Sequence, residues 1–357
     1  MKILYLNYYS LPQLTSGREK IEQFGFSYRF LSKFDASFEI VVIDCIGDDD
    51  DFIEGNVQYR FRKKLSNTRF KGFTRINKEI VKLNPEVILL QGFRFVHYAA
   101  AVKKKLPNTR LIVQHHAEQV PLSWVKQKIL KHYNRNIDAY IFSARELAAS
   151  WMKKGIIDKN KSIIELPEIA TDFKRGNLEK IPNSFIWVGR LDDNKDPLTV
   201  ISGIAPYFVK HSDAKLKMYY HIDSLKEAII QKVEVLGIVS QVELMGKIPN
   251  EEIEAEYQKS QFFLLGSHYE GGSLALMESL ACGCIPIVSD IPANRKFTNE
   301  GKLGVLFAAG SSESLSEGMN QLDTLQSEEH TKKIRAYFEE SLSAEAIAKG
   351  VLNHLKI

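Results

Sequence analysis

The chain has little of what would classify it at a glance. Its 357 residues include three cysteines, Cys45, Cys282 and Cys284. They form no metal-ligand spacing, and their scarcity fits a reducing compartment rather than a disulfide-stapled secreted fold. No run approaches the roughly 20 apolar residues that span a bilayer. The start, MKILYLNYYSLPQ, has one lysine and no small-residue cleavage site, so it reads as a first strand and not as a signal peptide. That strand leads into NYYSLPQ and not into a G-x-G-x-x-G turn, which counts against a nicotinamide-dependent dehydrogenase. Short repeats and low-complexity tracts are missing too. What is left is a soluble, cytoplasmic globular protein, long enough for two domains that each bury a core.

Charge is present but uneven. The 48 Lys+Arg and 44 Asp+Glu give a net +4. Residues 1–180 hold 31 of the basic and 20 of the acidic side chains, a balance of +11, leaving 17 and 24 (−7) for residues 181–357. Residues 60–82 carry nine basic side chains against one acid, Glu79. Such a stretch can attract anionic lipid or a phosphorylated acceptor, or form a solvated helix face. Nucleic acid would also suit it, but the chain has no recognition motif for one.

Short apolar runs alternate with longer helical patterns. Candidate strands are Lys2–Leu6, Glu39–Ile43, Val87–Leu90, Leu111–Gln114 and Ala139–Phe142. The second half repeats the scheme with Ser184–Val188, Leu216–Tyr220, Val242–Met245, Phe262–Leu265 and Ile285–Ser289. Lys20–Ser32, Phe73–Leu83, Tyr98–Lys105 and Lys126–Tyr133 read as helices between the first set. The alternation predicts an α/β chain with two parallel sheets covered by helices. The Pro- and Gly-containing segment Leu166–Asn183 is the natural boundary. Two such domains facing each other would bind a ligand beyond the carboxyl ends of their strands.

The densest signal is HYEGGSLALMESLACGCIP, His268 to Pro286. Glu270 precedes Glu278 by eight residues, a Gly-Gly pair adjoins the first carboxylate, and an apolar helical pattern follows. A helix amino end offers unpaired N–H groups and partial positive charge, which suits a phosphate. Upstream, the strand Ser184–Val188 runs into GRLDDNKDP, where Arg190 and Lys195 could clamp a diphosphate. Two carboxylates spaced along one helix start are poorly placed as an acid/base pair on one atom. They suit opposite ends of an elongated ligand.

Residues 184–300 resemble the carboxyl-terminal half of glycosyltransferase family 4, retaining enzymes of the two-Rossmann GT-B architecture, also described as glycosyl transferases group 1. The resemblance rests on Gly189-Arg190-Leu191 with Lys195, Gly246-Lys247, Glu270 with Glu278, and Ala281-Cys282-Gly283 before Pro286. It implies an amino-terminal acceptor domain over 1–167, a donor domain over 184–339 and a final helix over 340–357 that crosses back. It further implies that Arg190 and Lys195 bind the donor diphosphate, that Glu270 contacts donor-sugar hydroxyls, and that Glu278 holds the ribose. Gly189, Lys247, Gly271, Gly272, Ser273 and Leu274 would complete the donor site. His116, ending the strand LIVQH, would sit beside the reacting sugar, with His115 as competitor. Gly17 and Arg18 would form an acceptor or phosphate loop, although the family's Gly-Gly pair is reduced there to one glycine. KMYYHIDS (217–224) also departs from the family, which commonly has a glycine-containing loop where His221 and Asp223 stand.

The expected activity is metal-independent, retaining hexosyl transfer from a nucleoside-diphosphate sugar to a sugar or lipid-linked hydroxyl acceptor, in bacterial polysaccharide, lipopolysaccharide or capsule synthesis. No cofactor or metal is expected. Peripheral contact at the inner face of the cytoplasmic membrane would follow from the basic amino-terminal half. The alternatives are a nucleotide-sugar epimerase of the same fold and a non-catalytic nucleotide-sugar-binding protein.

Overall fold

The computed structural model describes residues 1–64, 73–174 and 176–355, apart from the side chain of Asn250. It divides into two units, Met1–Ala170 with Ala344–Ile357, and Thr171–Ser343.

The first unit holds an eight-stranded sheet. Its strands are β1 (Lys2–Leu11), β2 (Glu39–Ile46), β3 (Asp50–Glu54), β4 (Val57–Lys63), β5 (Val87–Gln91), β6 (Arg110–Gln114), β7 (Ala139–Phe142) and β8 (Ser162–Glu165), in spatial order β3-β4-β2-β1-β5-β6-β7-β8. Only β3 and β4 pair antiparallel. β5 and β7 are buried at every position, as parallel strands covered on both faces must be. The chain leaves β1 toward β2 and β4, then returns to lay β5 on the other side of β1. That reversal is a topological switch point, where loops diverge and leave room for a ligand. The final helix, Ala344–Leu355, packs within this unit against the 3-10 turn Arg29–Lys33.

The second unit carries a six-stranded, all-parallel sheet. Its strands are β9 (Ile181–Val188), β10 (Lys215–Tyr219), β11 (Val242–Gly246), β12 (Ser260–Leu265), β13 (Ile285–Ser289) and β14 (Val305–Phe307), in order β11-β10-β9-β12-β13-β14. Here the chain reverses between β9 and β12. The loops after those two strands carry the Arg190–Lys195 and Glu270–Ser273 motifs.

The structure departs from the sequence reading in the first unit. The helix expected over Lys20–Ser32 is a helix Gly17–Phe24 that breaks into 3-10 turns at Gly25. The basic stretch begins as β4, not as a helix face, and four of its described cations are matched. Arg60 and Arg62 pair with Glu79, Arg62 also with Asp51, Lys63 with Asp48 and Arg75 with Asp49. The part of that stretch over 65–72 lies outside the described residues.

Candidate active site

Two loops are stitched together at the β9/β12 switch point. The His268 amide donates to the Asn194 carbonyl at 2.8 Å, and Asn194 Nδ2 donates to the Tyr269 carbonyl at 3.1 Å. Asp196 caps the helix Pro197–Lys210 by accepting from the Thr199 amide at 3.2 Å, and its other oxygen meets His268 Nε2 at 3.0 Å. Lys195 and Glu270 close the set as an ion pair whose side chains are 15% and 11% exposed. The loops come this close because residue 266 is glycine. A Cβ there would lie 3.0 Å from the Asp196 carbonyl oxygen, 3.2 Å from that of Lys195 and 2.9 Å from Val200.

Asp192 organises the upstream loop. Its carboxylate accepts from Arg190 Nε at 2.6 Å and from the Lys195 amide at 3.0 Å. Burial works against its charge, yet those hydrogen bonds and the charges of Arg190 and Lys195 hold its carboxyl below the usual range. Arg190 keeps 42% of its side chain exposed, and a guanidinium has four further N–H donors besides Nε. Gly189 passes over the buried Trp187 ring, which a Cβ would approach to 3.2 Å.

The downstream loop runs through buried Gly271 and half-buried Gly272 into the helix Leu274–Ala281. The Ser273 hydroxyl caps that helix by accepting from the Leu276 amide at 3.3 Å. Ser273 is thereby committed to the helix through its side chain, and Leu274 is its first residue. Glu278 lies on this helix against Tyr257. Burial first, and then the Glu278 charge, push that phenol well above its ordinary value. Lys247 follows β11 and is exposed. Two strand spacings, roughly 10 Å, separate β11 from β9.

In the first unit, the pair of histidines divides sharply. His115 is 1% exposed, stacks on Phe142 and bonds the Glu118 carbonyl through Nε2 at 2.9 Å. Burial pushes its imidazole down. His116 is half-buried, with Nε2 2.7 Å from Gln91 Oε1 and Nδ1 2.9 Å from Glu168. The Gln91 amide donates to the Leu89 carbonyl, so its oxygen is the atom left to accept from His116. Burial alone would lower His116, but the Glu168 charge and hydrogen bond, with Glu118 behind, outweigh it and raise its pKa. Both ring nitrogens therefore face acceptors, as an imidazolium requires. Glu118 ties the two strand ends, accepting from the Phe93 amide at 2.5 Å and the His116 amide at 2.8 Å.

At the expected acceptor or phosphate loop, Gly17 and Arg18 meet the β3–β4 hairpin. The Gly17 amide donates to Asp50 Oδ2 at 2.8 Å, and a Cβ at Gly17 would strike the Phe61 ring. Arg18 lies 4.7 Å over Phe52 and pairs with Glu54 at 3.8 Å. Both residues thus contact the β3–β4 hairpin, and the Arg18 side chain, read as part of an acceptor or phosphate loop, stays 66% exposed. Buried Lys20 pairs with Asp44 at 2.7 Å and pins the same helix to β2.

Sequence reasoning named Arg190, Lys195 and Glu270 but missed Asp192, Asn194, Asp196, Gly266 and His268. The signal was the unusual density of Asp and Asn in LDDNKDP, which promises turn and cap contacts. Among the described residues, no group of three or more His, Cys, Asp or Glu is gathered as for a metal ion.

Residues 168–341 match the family model for glycosyl transferases group 1. The chain is similar to the GalNAc-alpha-(1->4)-GalNAc-alpha-(1->3)-diNAcBac-PP-undecaprenol alpha-1,4-N-acetyl-D-galactosaminyltransferase of Campylobacter jejuni, 25% identical over 223 residues that cover 60% of this chain and 58% of that protein. It is also similar to the GDP-mannose:cellobiosyl-diphosphopolyprenol alpha-mannosyltransferase of Xanthomonas campestris, 24% identical over 230 residues, 62% of this chain and 60% of that protein. The matches thus span about three fifths of the relatives' own length. Among solved structures, Anabaena Alr3699/HepE in complex with UDP and glucose superposes with a TM-score of 0.70 at 13% identity, covering 99% of each chain. At that identity the likeness speaks for the fold. Residues 168–341 thus carry the match to the glycosyl transferases group 1 family, and the two Rossmann-like units have the folds of the GT-B architecture.

Proposed function

We propose that this protein is a retaining, metal-independent glycosyltransferase that moves a sugar from a nucleoside diphosphate to a hydroxyl of a lipid-linked saccharide. The observation that carries the reading is the β9/β12 loop pair, which gathers Arg190, Lys195 and a helix amino end around one strand-end crevice. Breaking a sugar–phosphate bond leaves extra negative charge on the diphosphate, and fixed cations and amide dipoles stabilise such charge as it grows. Arg190 and Lys195 serve the phosphates, and Glu270, already oriented by Lys195, serves the sugar hydroxyls. Glu278, braced against Tyr257, serves the ribose. A retaining hydrolase would instead set two carboxylates about 5 Å apart across the bond.

The names of the relatives support a polyprenyl-diphosphate-linked acceptor, which the amino-terminal unit would hold, with His116 near the reacting atoms. They do not agree on a donor. One name prints GDP-mannose, while the Anabaena protein was solved with UDP. The family match therefore leaves the base open.

The test is turnover with a panel of nucleotide sugars after chelation. Activity should persist without added Mg²⁺, and full dependence on the metal contradicts the metal-free claim. Lys195→Met should lower kcat by about 10²–10³ and destabilise the protein, because it strands Glu270 without its partner. Adding Glu270→Gln should recover the melting temperature but not the rate. Undiminished turnover in either variant removes the assignment.

A further inference from the structure

The helix Trp124–Asn134 of the first unit leaves a broad face unpartnered. Of the fourteen exposed large apolar side chains among the described residues, four fall between Leu122 and Ile129. Leu122 is 100% exposed, Trp124 66%, Val125 46% and Ile129 45%. Single exposed apolar residues are ordinary on a soluble protein. Four within eight residues make a patch, and a patch of this kind marks a contact surface.

The charges around the patch identify the partner. From Leu122 to Ile137 the chain has Lys126, Lys128, Lys131 and Arg135 and not one Asp or Glu, and all four cations are exposed. Trp124, Lys128, Lys131 and Arg135 follow the i, i+4, i+7, i+11 spacing of one helix stripe. Val125, Ile129 and His132 form the stripe beside it. The Lys128 ammonium lies 4.7 Å over the Trp124 ring. Toward the helix end, Lys131 and Arg135 border a cavity of about 640 Å³ that also takes in Asp158, Lys159 and Lys161. A protein partner of ordinary composition would not need this unbroken run of positive charge. An anionic bilayer surface would, because Trp and aliphatic side chains enter the headgroup boundary while lysines pair with lipid phosphates.

We infer that Leu122–Arg135 is a membrane-docking element that lays its Trp124/Val125/Ile129 edge into an anionic phospholipid surface. This replaces the basic stretch over 60–82, whose described arginines are already paired with acids of the same unit, as the basis for peripheral attachment. The inference stands apart from the donor-site reading, since vesicle binding succeeds or fails whether or not a sugar is transferred.

The chain supplies its own probe. Of its three tryptophans, Trp151 and Trp187 are 2% and 0% exposed, so Trp124 alone can change environment at the surface. Full-length protein mixed at low salt with phosphatidylcholine vesicles containing about one-third phosphatidylglycerol should cosediment and shift its emission to the blue. Plain phosphatidylcholine should bind it far less. Lys128→Gln and Lys131→Gln should each lower the partition coefficient about fivefold. Leu122→Ser with Val125→Ser should abolish the binding while circular dichroism and melting temperature stay those of the parent. Trp124→Phe should bind and lose the blue shift. The inference is overturned if the parent ignores anionic vesicles or if these variants bind as well as it does. It is equally overturned if light scattering shows a dimer that the serine variant splits, because the patch would then face a second copy.

Discussion

His116 shows how a residue's surroundings decide its chemistry. It stands between Gln91 and Glu168, and the carboxylate outweighs burial so that the imidazole holds its proton more tightly than usual. A folded-state pKa above the unfolded value of about 6.5 contributes stability that is fully present below pH 6.5. That contribution is lost as pH rises through the folded value. Melting temperature followed upward from pH 6 should therefore fall faster in the parent than in Glu168→Gln, which has no carboxylate to raise the histidine. Identical slopes would mean that the pair does not bias the proton. Neighbouring His115 shows the opposite case, buried among Phe93, Phe142 and Trp151 and pushed down. Adjacent in sequence, the two face opposite sides of the chain.

At the scale of elements, the β9/β12 loop pair depends on one missing Cβ. Gly266→Ala should force the Lys195 and Asp196 carbonyls away and cost about 1–3 kcal/mol by crowding. The melting temperature should drop by several degrees, and turnover should fall with it because Lys195 and Glu270 separate. A variant with parental stability would show that the loops tolerate more distance than the geometry implies.

The elements also explain what was legible beforehand. β7 and β13 were read to the residue, because each is a short apolar run buried on both faces. β3 and β4 were missed although Gly55-Asn56 between them is a two-residue hairpin signal, with Gly55 at φ +59°. The run VQYRFRK alternates buried and half-buried positions along most of its length, but its arginines drew attention to charge instead of period. Missing that hairpin carried a cost at the site, since Asp50, Phe52 and Phe61 from it are what occupy Gly17 and Arg18. Lys195 and Glu270 were legible because both belong to motifs. Asn194 and His268 were not, because they meet only once β9 and β12 lie side by side.

At the scale of the molecule, charge is organised more finely than the +11 and −7 halves suggest. Acids of the first unit neutralise the described arginines of the basic stretch, and one apolar-edged helix carries the exposed cations Lys126, Lys128, Lys131 and Arg135 with no acid among them. No described helix is long and apolar enough to cross a membrane, so any attachment through that helix would be at a surface. In the second unit, Arg190 and Lys195 stand at the β9/β12 strand-end crevice, beside Asp192 and Glu270, which orient them. The central claim is that this crevice grips the diphosphate of a nucleotide sugar. It is tested most directly by thermal shift with UDP, GDP, ADP, TDP and CMP and their sugars, on the parent and on Lys195→Met with Glu270→Gln. At 100 times its dissociation constant the right ligand should add about 2.7 kcal/mol to the parent, roughly 5–10 °C for a unit of this size, and much less to the double variant. No shift with any nucleotide, or an equal shift in both proteins, would contradict the account.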